Sequence, residues 1–387
     1  MNSLPRVVVP PRWNTVKGTV PRLLHVFPGF GLGGSQRRFA AIANHFGSAF
    51  QHLIWSLDGN CDARGLLVDN GAWNFELNGF PRRNMLNNIV AARGILRRLA
   101  PDVLVTYNWG AIEWAAANLF PLTRHFHIED GFGPEEADRQ IPRRAWFRRL
   151  ILNRHSKVIL PSRNLVRIAT EIWRLDPARV VYVPNGINCG RFADPADPTQ
   201  RGAFRGSGLV IGTVATLRRE KALGRLIEAF AVARAQHVCR LVIVGDGPER
   251  SVLEGMAANL GLSEHITFTG SLDRPERILG AFDLFAVSSD TEQMPLSILE
   301  AMAAGLPIAS TAAGDIADMV AEENRPFVVE KTTAALAEAM ADLLGNTGLR
   351  TRLANANRAK AITTFDESVM FKTYGQLFSG SAGKSDG

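Results

Sequence analysis

Cysteine is scarce. The three in 387 residues (Cys61, Cys189, Cys239) are far apart, odd in number and lack metal-ligand spacing, which fits a reducing cytoplasm rather than a disulfide framework. No run of 18 apolar residues occurs, so no membrane-spanning helix is expected. The first 30 residues carry Arg6, Arg12, Lys17 and Arg22 but no long apolar core, so a secretory signal is not expected. No two aspartates stand two residues apart, so the Asp-x-Asp pair that often holds a divalent ion is missing and no metal site is expected. Basic charge is plentiful, yet no nucleic-acid recognition motif accompanies it, and nucleic acid is not expected as a partner.

A composition of 46% hydrophobic and 21% charged residues is that of a folded, water-soluble chain. Its length is too great for one ordinary core, and two domains are the natural expectation. Residues 1–190 hold 24 Lys+Arg against 13 Asp+Glu, a net of +11, whereas residues 191–387 hold 20 against 24, a net of −4. All seven tryptophans (Trp13, Trp55, Trp73, Trp109, Trp114, Trp146, Trp173) lie in the first half.

After a proline-rich leader (Pro5, Pro10, Pro11), short apolar runs alternate with helical patterns: 23–27, 52–57, 102–107, 125–128, 157–162 and 180–184. The second half repeats the plan at 209–215, 240–245, 266–270, 284–288, 307–311 and 327–329. Such runs predict parallel sheets covered on both faces. The stretch 188–208, rich in Pro, Gly and Asp, reads as a linker. The expected architecture is α/β: two doubly wound, Rossmann-like parallel-sheet domains facing across a cleft, with ligands at the carboxyl ends of the strands. The expected bounds are 1–190, 191–365 and a C-terminal helix with a loose tail, 366–387, returning toward the first domain.

The stretch SSDTEQMPLSILEAMAAGLPIAS (288–310) sets Glu292 in a polar loop and Glu300 inside an apolar helix. Pro295 suits the first residue of that helix, whose free N–H groups around Met294 to Ser297 suit a phosphate. A carboxylate among Leu299, Ala301 and Met302 needs hydrogen-bond donors, and adjacent ribose hydroxyls would supply them. Spacing alone leaves this reading level with a simpler one, a loop glutamate and a solvated helix glutamate.

Together with GGSQRR (33–38), VPNGIN (183–188), LRREKALGRLIEAFA (217–231), IVGDGPER (243–250) and FTGSLDRPERILGAFDLFAVSS (268–289), this stretch resembles the E-x7-E signature of the family 4 (group 1) glycosyltransferases of GT-B fold. The resemblance implies a retaining enzyme that moves a sugar from a nucleoside-diphosphate sugar to a glycan or lipid-linked acceptor in cell-surface polysaccharide or lipopolysaccharide synthesis, with no cofactor. It implies that Glu300 binds the ribose, Glu292 a hydroxyl of the transferred sugar and Lys221 the diphosphate. The backbone of Gln293, Met294, Pro295 and Leu296, and of Gly33 and Gly34, would face the donor. The family's usual Arg before the Lys is Thr216 here, so Arg218 or Arg219 is expected to reach the phosphates, and its usual glycine after the Lys is Ala222. Gly245 and Gly247 read as structural, with Arg250 a base-side or helix-cap contact. A nucleotide-sugar epimerase of the same fold remains an alternative.

PGFGLGGS (28–35) also contains G-x-G-x-x-G, with Asp58 closing the next strand, so an NAD-dependent oxidoreductase is a second alternative. By resemblance, His127 is expected at the reacting carbon, whereas a lone histidine is more often structural. Glu129 and Asp130 either contact the acceptor or cap a turn. The run 139–157 has seven Lys/Arg and no acid. It reads either as a covering helix, with Trp146, Phe147, Leu150 and Ile151 turned inward, or as a basic helix drawn to anionic lipid. The expected location is cytoplasmic, with peripheral contact at the inner face of the membrane through residues 139–157.

Overall fold

The computed structural model describes residues 20–76, 80, 84–132, 134–136, 139–192, 208–272, 274 and 276–380. The proline-rich leader, Trp13 and most of the expected linker lie outside the described residues. The chain divides into two compact units, Met1–Pro184 with Met370–Gly387, and Asn185–Val369.

In the first unit β1 (Arg22–Phe27), β2 (Gln51–Ser56), β3 (Trp73–Glu76), β4 (Val103–Tyr107), β5 (Arg124–Ile128), β6 (Ser156–Leu160) and β7 (Val180–Tyr182) pair in parallel, in the order β3-β2-β1-β4-β5-β6-β7. Burial on both faces explains why these strands read as unbroken apolar runs. The two edge strands, β3 and β7, are at most half-buried; VVY of β7 is still an apolar run, whereas WNFE of β3 is not. One face packs Leu23, Phe27, Phe39, Val105 and Phe126 against Phe371, Tyr374 and Phe378 of the helix Glu367–Ser379. The other packs Leu24, Trp55, Ile95, Leu104 and Trp114. Each such side chain contributes roughly 1.5–3 kcal/mol by leaving water.

The second unit holds β8 (Leu209–Val214), β9 (Cys239–Val244), β10 (Ile266–Gly270), β11 (Leu284–Val287), β12 (Ile308–Thr311) and β13 (Val328–Val329), parallel in the order β10-β9-β8-β11-β12-β13. Gly245, ending β9 at φ +136°, passes so close to Ala215 that a Cβ would meet its carbonyl oxygen at 1.9 Å, which confirms a structural glycine. Arg250, the first residue of the helix Arg250–Asn259, pairs with Asp246 in the preceding loop (3.0 Å) and with Glu254 one turn on (2.8 Å).

The boundaries differ from the expected 190 and 366. Ile187 and Cys189 are buried in the second unit's core, and Ile187 bridges Asp366. Asn188 Nδ2 donates to Glu367 Oε1 at 2.8 Å. Apolar burial here outweighs the linker-like composition around it.

Buried histidines are unusually dense in the first sheet. His25 Nδ1 lies 3.1 Å from the Tyr107 hydroxyl and its Nε2 lies 3.0 Å from His52 Nδ1. His125 Nδ1 meets Ser156 Oγ at 2.7 Å. Burial pulls His52 down to about 4 and, with the neighbouring His127, His125 down to about 3, and it holds His25 well below the ordinary imidazole range. The folded state thus takes up these protons later than the unfolded chain. Stability should be full above pH 6.5 and fall as pH drops toward 4, by on the order of 3 kcal/mol for His52 alone. Urea titrations at pH 7.5 and pH 4.5 check this, and His52→Gln should flatten the pH dependence.

Candidate functional site

Each sheet reverses its strand order once, between β1 and β4 and between β8 and β11. Loops leaving the carboxyl ends of those strands diverge and leave a crevice, the position where open α/β sheets take ligands.

In the second unit the loop after β8 carries Arg218, Arg219 and Lys221, and the loop after β11 carries Glu292. Lys221 ends a tight 3₁₀ turn and Ala222 follows at φ +45°, left-handed backbone where a glycine would be unstrained. The Lys221 carbonyl accepts from Ser288 Oγ at 2.9 Å, and the Glu220 carbonyl accepts from the Asp290 N–H at 2.9 Å. Lys221 Nζ then donates to Glu292 Oε1 at 2.5 Å, which also accepts from Ser289 Oγ at 2.8 Å. The carboxylate side chain is only 10% exposed, so the pair lies largely out of bulk water. Arg225 locks the same loop, donating to the Ser288 carbonyl and to Asp290 Oδ1, both at 2.7 Å. Sequence reasoning missed Arg225, because one arginine on a helix has no signal until its loop partner is known.

Gly314, at φ +54°, underlies Glu292: a Cβ there would lie 2.3 Å from the Glu292 carbonyl oxygen. The Gln293 carbonyl accepts from Asp315 N–H at 3.0 Å and the Met294 carbonyl from Asn185 Nδ2 at 3.0 Å. The Met294 side chain is buried in the core, so only its backbone can face a ligand. Pro295 is the N-cap, with extended ψ of 125°, and not the first helical residue; the helix is Leu296–Ala303. Its opening N–H groups, at Leu296 and Ser297, have no carbonyl a turn earlier within the helix. Glu300, half-buried, sits between buried Leu299 and Ala301. Arg218 and Arg219 are exposed.

In the first unit, Gly33 is the N-cap of the helix Gly34–Phe46, at the end of the loop leaving β1. Asp130 lies against that helix start. It accepts from Ser35 Oγ, and its Oδ1 stands 2.6 Å from Arg38 Nη1. Asn108, itself at φ 53°, accepts the Asp130 N–H at 2.8 Å. Asp58 is committed to its turn, accepting from Ser56 Oγ at 2.9 Å and from Asn60 N–H at 2.8 Å.

His127 is the histidine expected at the reacting carbon. Its ring is fully buried on β5, with Nδ1 2.8 Å from Thr106 Oγ1 and Nε2 3.6 Å from Glu129. The ring lies beneath the surface, and among the described residues its Nε2 has no hydrogen-bond partner. Glu129 is equally buried, 3.4 Å from Arg148 Nε, and Arg148 makes a two-pronged pair with Glu136 at 3.1 Å. Of the neighbouring acids Glu129 and Asp130, only Asp130 reaches the surface, where it lines a pocket of about 490 Å³ with Trp109, Phe132, Glu135 and Arg144.

The expected inward stripe on the helix Pro142–His155 also needs correcting. Ile151, Leu152 and Ala145 are buried, whereas Trp146 and Leu150 point to solvent. The aromatic Trp109 and Trp173 rings stack on Arg148, at 4.9 and 4.5 Å, and fill the place the stripe was expected to take.

Two family models match, "Glycosyltransferase Family 4" over residues 32–191 and "Glycosyl transferases group 1" over residues 199–360. A lipopolysaccharide core biosynthesis glycosyltransferase, LpsD of Rhizobium meliloti, is 30% identical over 80% of this chain and 85% of its own. The chain belongs to the group 1 (family 4) glycosyltransferases. A 2-deoxystreptamine glucosyltransferase of Streptomyces kanamyceticus is 35% identical over 42% of this chain and 43% of its own. The chain spans about half the length of several of the curated relatives it matches. The Anabaena HepE structure, solved with UDP, superposes with a TM-score of 0.78 over 93% of this chain and 100% of that one, at 19% identity, and shares the GT-B fold.

The backbone at the Lys221–Glu292 loops makes two substitutions diverge. Ala222→Gly should stabilise the protein by about 0.5–1 kcal/mol, because it relieves left-handed backbone. Gly314→Ala should destabilise it by about 1–3 kcal/mol, because both φ and the Glu292 carbonyl oppose a Cβ. Thermal melts of the two variants check the opposite signs.

Proposed function

We propose that this chain is a retaining glycosyltransferase that moves a sugar from a nucleoside-diphosphate sugar to a glycan or lipid-linked acceptor in cell-surface polysaccharide or lipopolysaccharide synthesis. The observation that carries it is the meeting of Lys221 and Glu292 at the strand reversal, directly before the helix that bears Glu300. HepE, whose solved complexes include UDP and UDP-glucose, lends support by its fold.

Each residue has a chemical task. Glu300 accepts hydrogen bonds from the ribose hydroxyls, and Glu292 holds a hydroxyl of the transferred sugar. Lys221, the exposed Arg218 and Arg219, the N–H groups at the start of Leu296–Ala303 and the Gly33–Gly34 backbone supply positive potential. That potential matters because the anomeric carbon–oxygen bond breaks and negative charge grows on the departing diphosphate. The acceptor oxygen attacks from the same face, and the leaving phosphate oxygen takes its proton. These groups stabilise the charge without a metal. Of Glu129 and Asp130, the surface-reaching Asp130 is the acid that would contact the acceptor, and His127 keeps its expected place by the reacting carbon.

The cytoplasmic face of the membrane is the proposed place of work. Among the described residues no helix is long and apolar enough to cross a membrane. The exposed face of Pro142–His155, with Arg143, Trp146, Arg149, Leu150 and Arg154, would lie against anionic lipid.

Glu300→Ala should weaken binding of a nucleoside diphosphate itself, whereas Glu292→Ala should leave that binding nearly intact and lower turnover. Calorimetry with the diphosphate separates them, and equal affinity for wild type and Glu300→Ala would sink the ribose assignment. Incubation with labelled donor should show transfer that survives EDTA; conversion to another sugar without transfer would point to an epimerase. Lys221→Ala should cost about 2.7–4 kcal/mol of barrier, comparable to one lost oxyanion donor.

A further inference from the structure

Beside the helix Pro142–His155 lies an open pocket of about 400 Å³ lined by Arg139, Gln140, Trp146, Arg149, Ile172 and Arg174. A hollow of about 240 Å³ adjoins it, sharing Trp146 and Arg149 and adding Leu150 and Arg154. Among the described residues, no carboxylate lines either one. Neighbouring arginines are neutralised: Arg144 by Glu135, Arg148 by Glu136, Arg167 by Glu171. Among the described residues, none of Arg139, Arg149, Arg154 and Arg174 has an acidic partner. Guanidinium groups repel one another, so their convergence asks for a counter-charge from outside.

The backbone brings Arg174 there at a cost. A π-helical turn, Ile168–Ile172, precedes it, and Arg174 itself stands at φ 53°, left-handed backbone that a long side chain disfavours. Asn153 holds it in place: Nδ2 donates to the Arg174 carbonyl at 3.2 Å and Oδ1 accepts from the Asp176 N–H at 2.7 Å. The floor is rigid, because Trp173 is buried and its Nε1 donates to Gln140 Oε1 at 2.9 Å. The rim is apolar: Trp146, Ile172 and Leu150 are 62%, 45% and 39% exposed.

We propose that this pocket binds the phosphate of an anionic membrane phospholipid, with Arg139, Arg149 and Arg174 around the headgroup and Trp146, Ile172 and Leu150 in the interfacial layer. Guanidinium forks match phosphate oxygens, and an indole beside aliphatic groups matches the headgroup boundary of a bilayer. A reader of nucleic acid would instead present stacked aromatic platforms, whereas two of these three rim residues are aliphatic. The proposal rests on the membrane contact proposed above and narrows it to one pocket.

Co-sedimentation with phosphatidylglycerol–phosphatidylcholine vesicles, against phosphatidylcholine alone, tests it. Wild type should bind only the anionic vesicles. Arg149→Gln with Arg174→Gln should weaken binding about 30-fold, from the usual attraction per cation near anionic lipid, and further if the headgroup is held. A charge-matched pair outside the pocket, Arg143→Gln with Arg167→Gln, should cost clearly less, with unchanged melting in both. Equal losses would overturn the pocket while the membrane contact stands. A wild type that ignores anionic vesicles at low salt would overturn both. Displacement from vesicles by a short single-stranded RNA needing the same two arginines would reassign the pocket to nucleic acid.

Discussion

Lys221 Nζ and Glu292 Oε1 stand 2.5 Å apart because the strand order of the second sheet turns around between β8 and β11. One loop leaves each strand at that reversal, and both are then fastened to each other. Ser288 Oγ reaches the Lys221 carbonyl, Asp290 N–H reaches the Glu220 carbonyl, and Arg225 grips both Ser288 and Asp290. Gly314 leaves the space that lets the Glu292 backbone settle beneath them. A cation and a carboxylate are thus set side by side at the carboxyl ends of the strands. Neither charge is left unbalanced before a ligand arrives, which matters for a carboxylate with little access to water.

The first unit solves a related problem by burial. Glu129, Arg148 and Glu136 form an ionic layer closed off from solvent, with the His127 ring beside it and Trp109, Trp173 and Phe132 around the guanidinium. Removing one member of such a layer strands its partner's charge, at about 3–5 kcal/mol. The layer fixes the stretch after β5, so that Asp130 emerges at the helix start beside Ser35 and Arg38. Charge reversal at Arg148 would therefore report on folding rather than on any surface contact.

Much of this was legible before any coordinates. Parallel strands announce themselves as apolar runs, and twelve of the thirteen described strands lie where such runs stand; β3 does not, because WNFE alternates aromatic and polar residues. The E-x7-E stretch and the REK turn, both contiguous in sequence, lie on loops that meet at the strand reversal of the second sheet. What failed was orientation. Periodicity placed Trp146, Leu150 and Ile151 on one helical face but could not tell which members that face would turn to solvent. The family pattern marked His127 without revealing that Thr106 and Glu129 would enclose it. The boundary at 190 failed because Ile187 and Cys189 lie in a polar, proline-rich neighbourhood yet complete an apolar core.

The central claim is that Lys221 and Glu292 act as one unit in holding a donor. A double-mutant cycle with Lys221→Met, Glu292→Gln and the combined variant, read by calorimetry as affinity for the intact nucleoside-diphosphate sugar, tests it directly. The account predicts non-additive losses, with a coupling of about 0.5–3 kcal/mol between the two positions. Strictly additive losses, or affinity unchanged in all three variants, would contradict it.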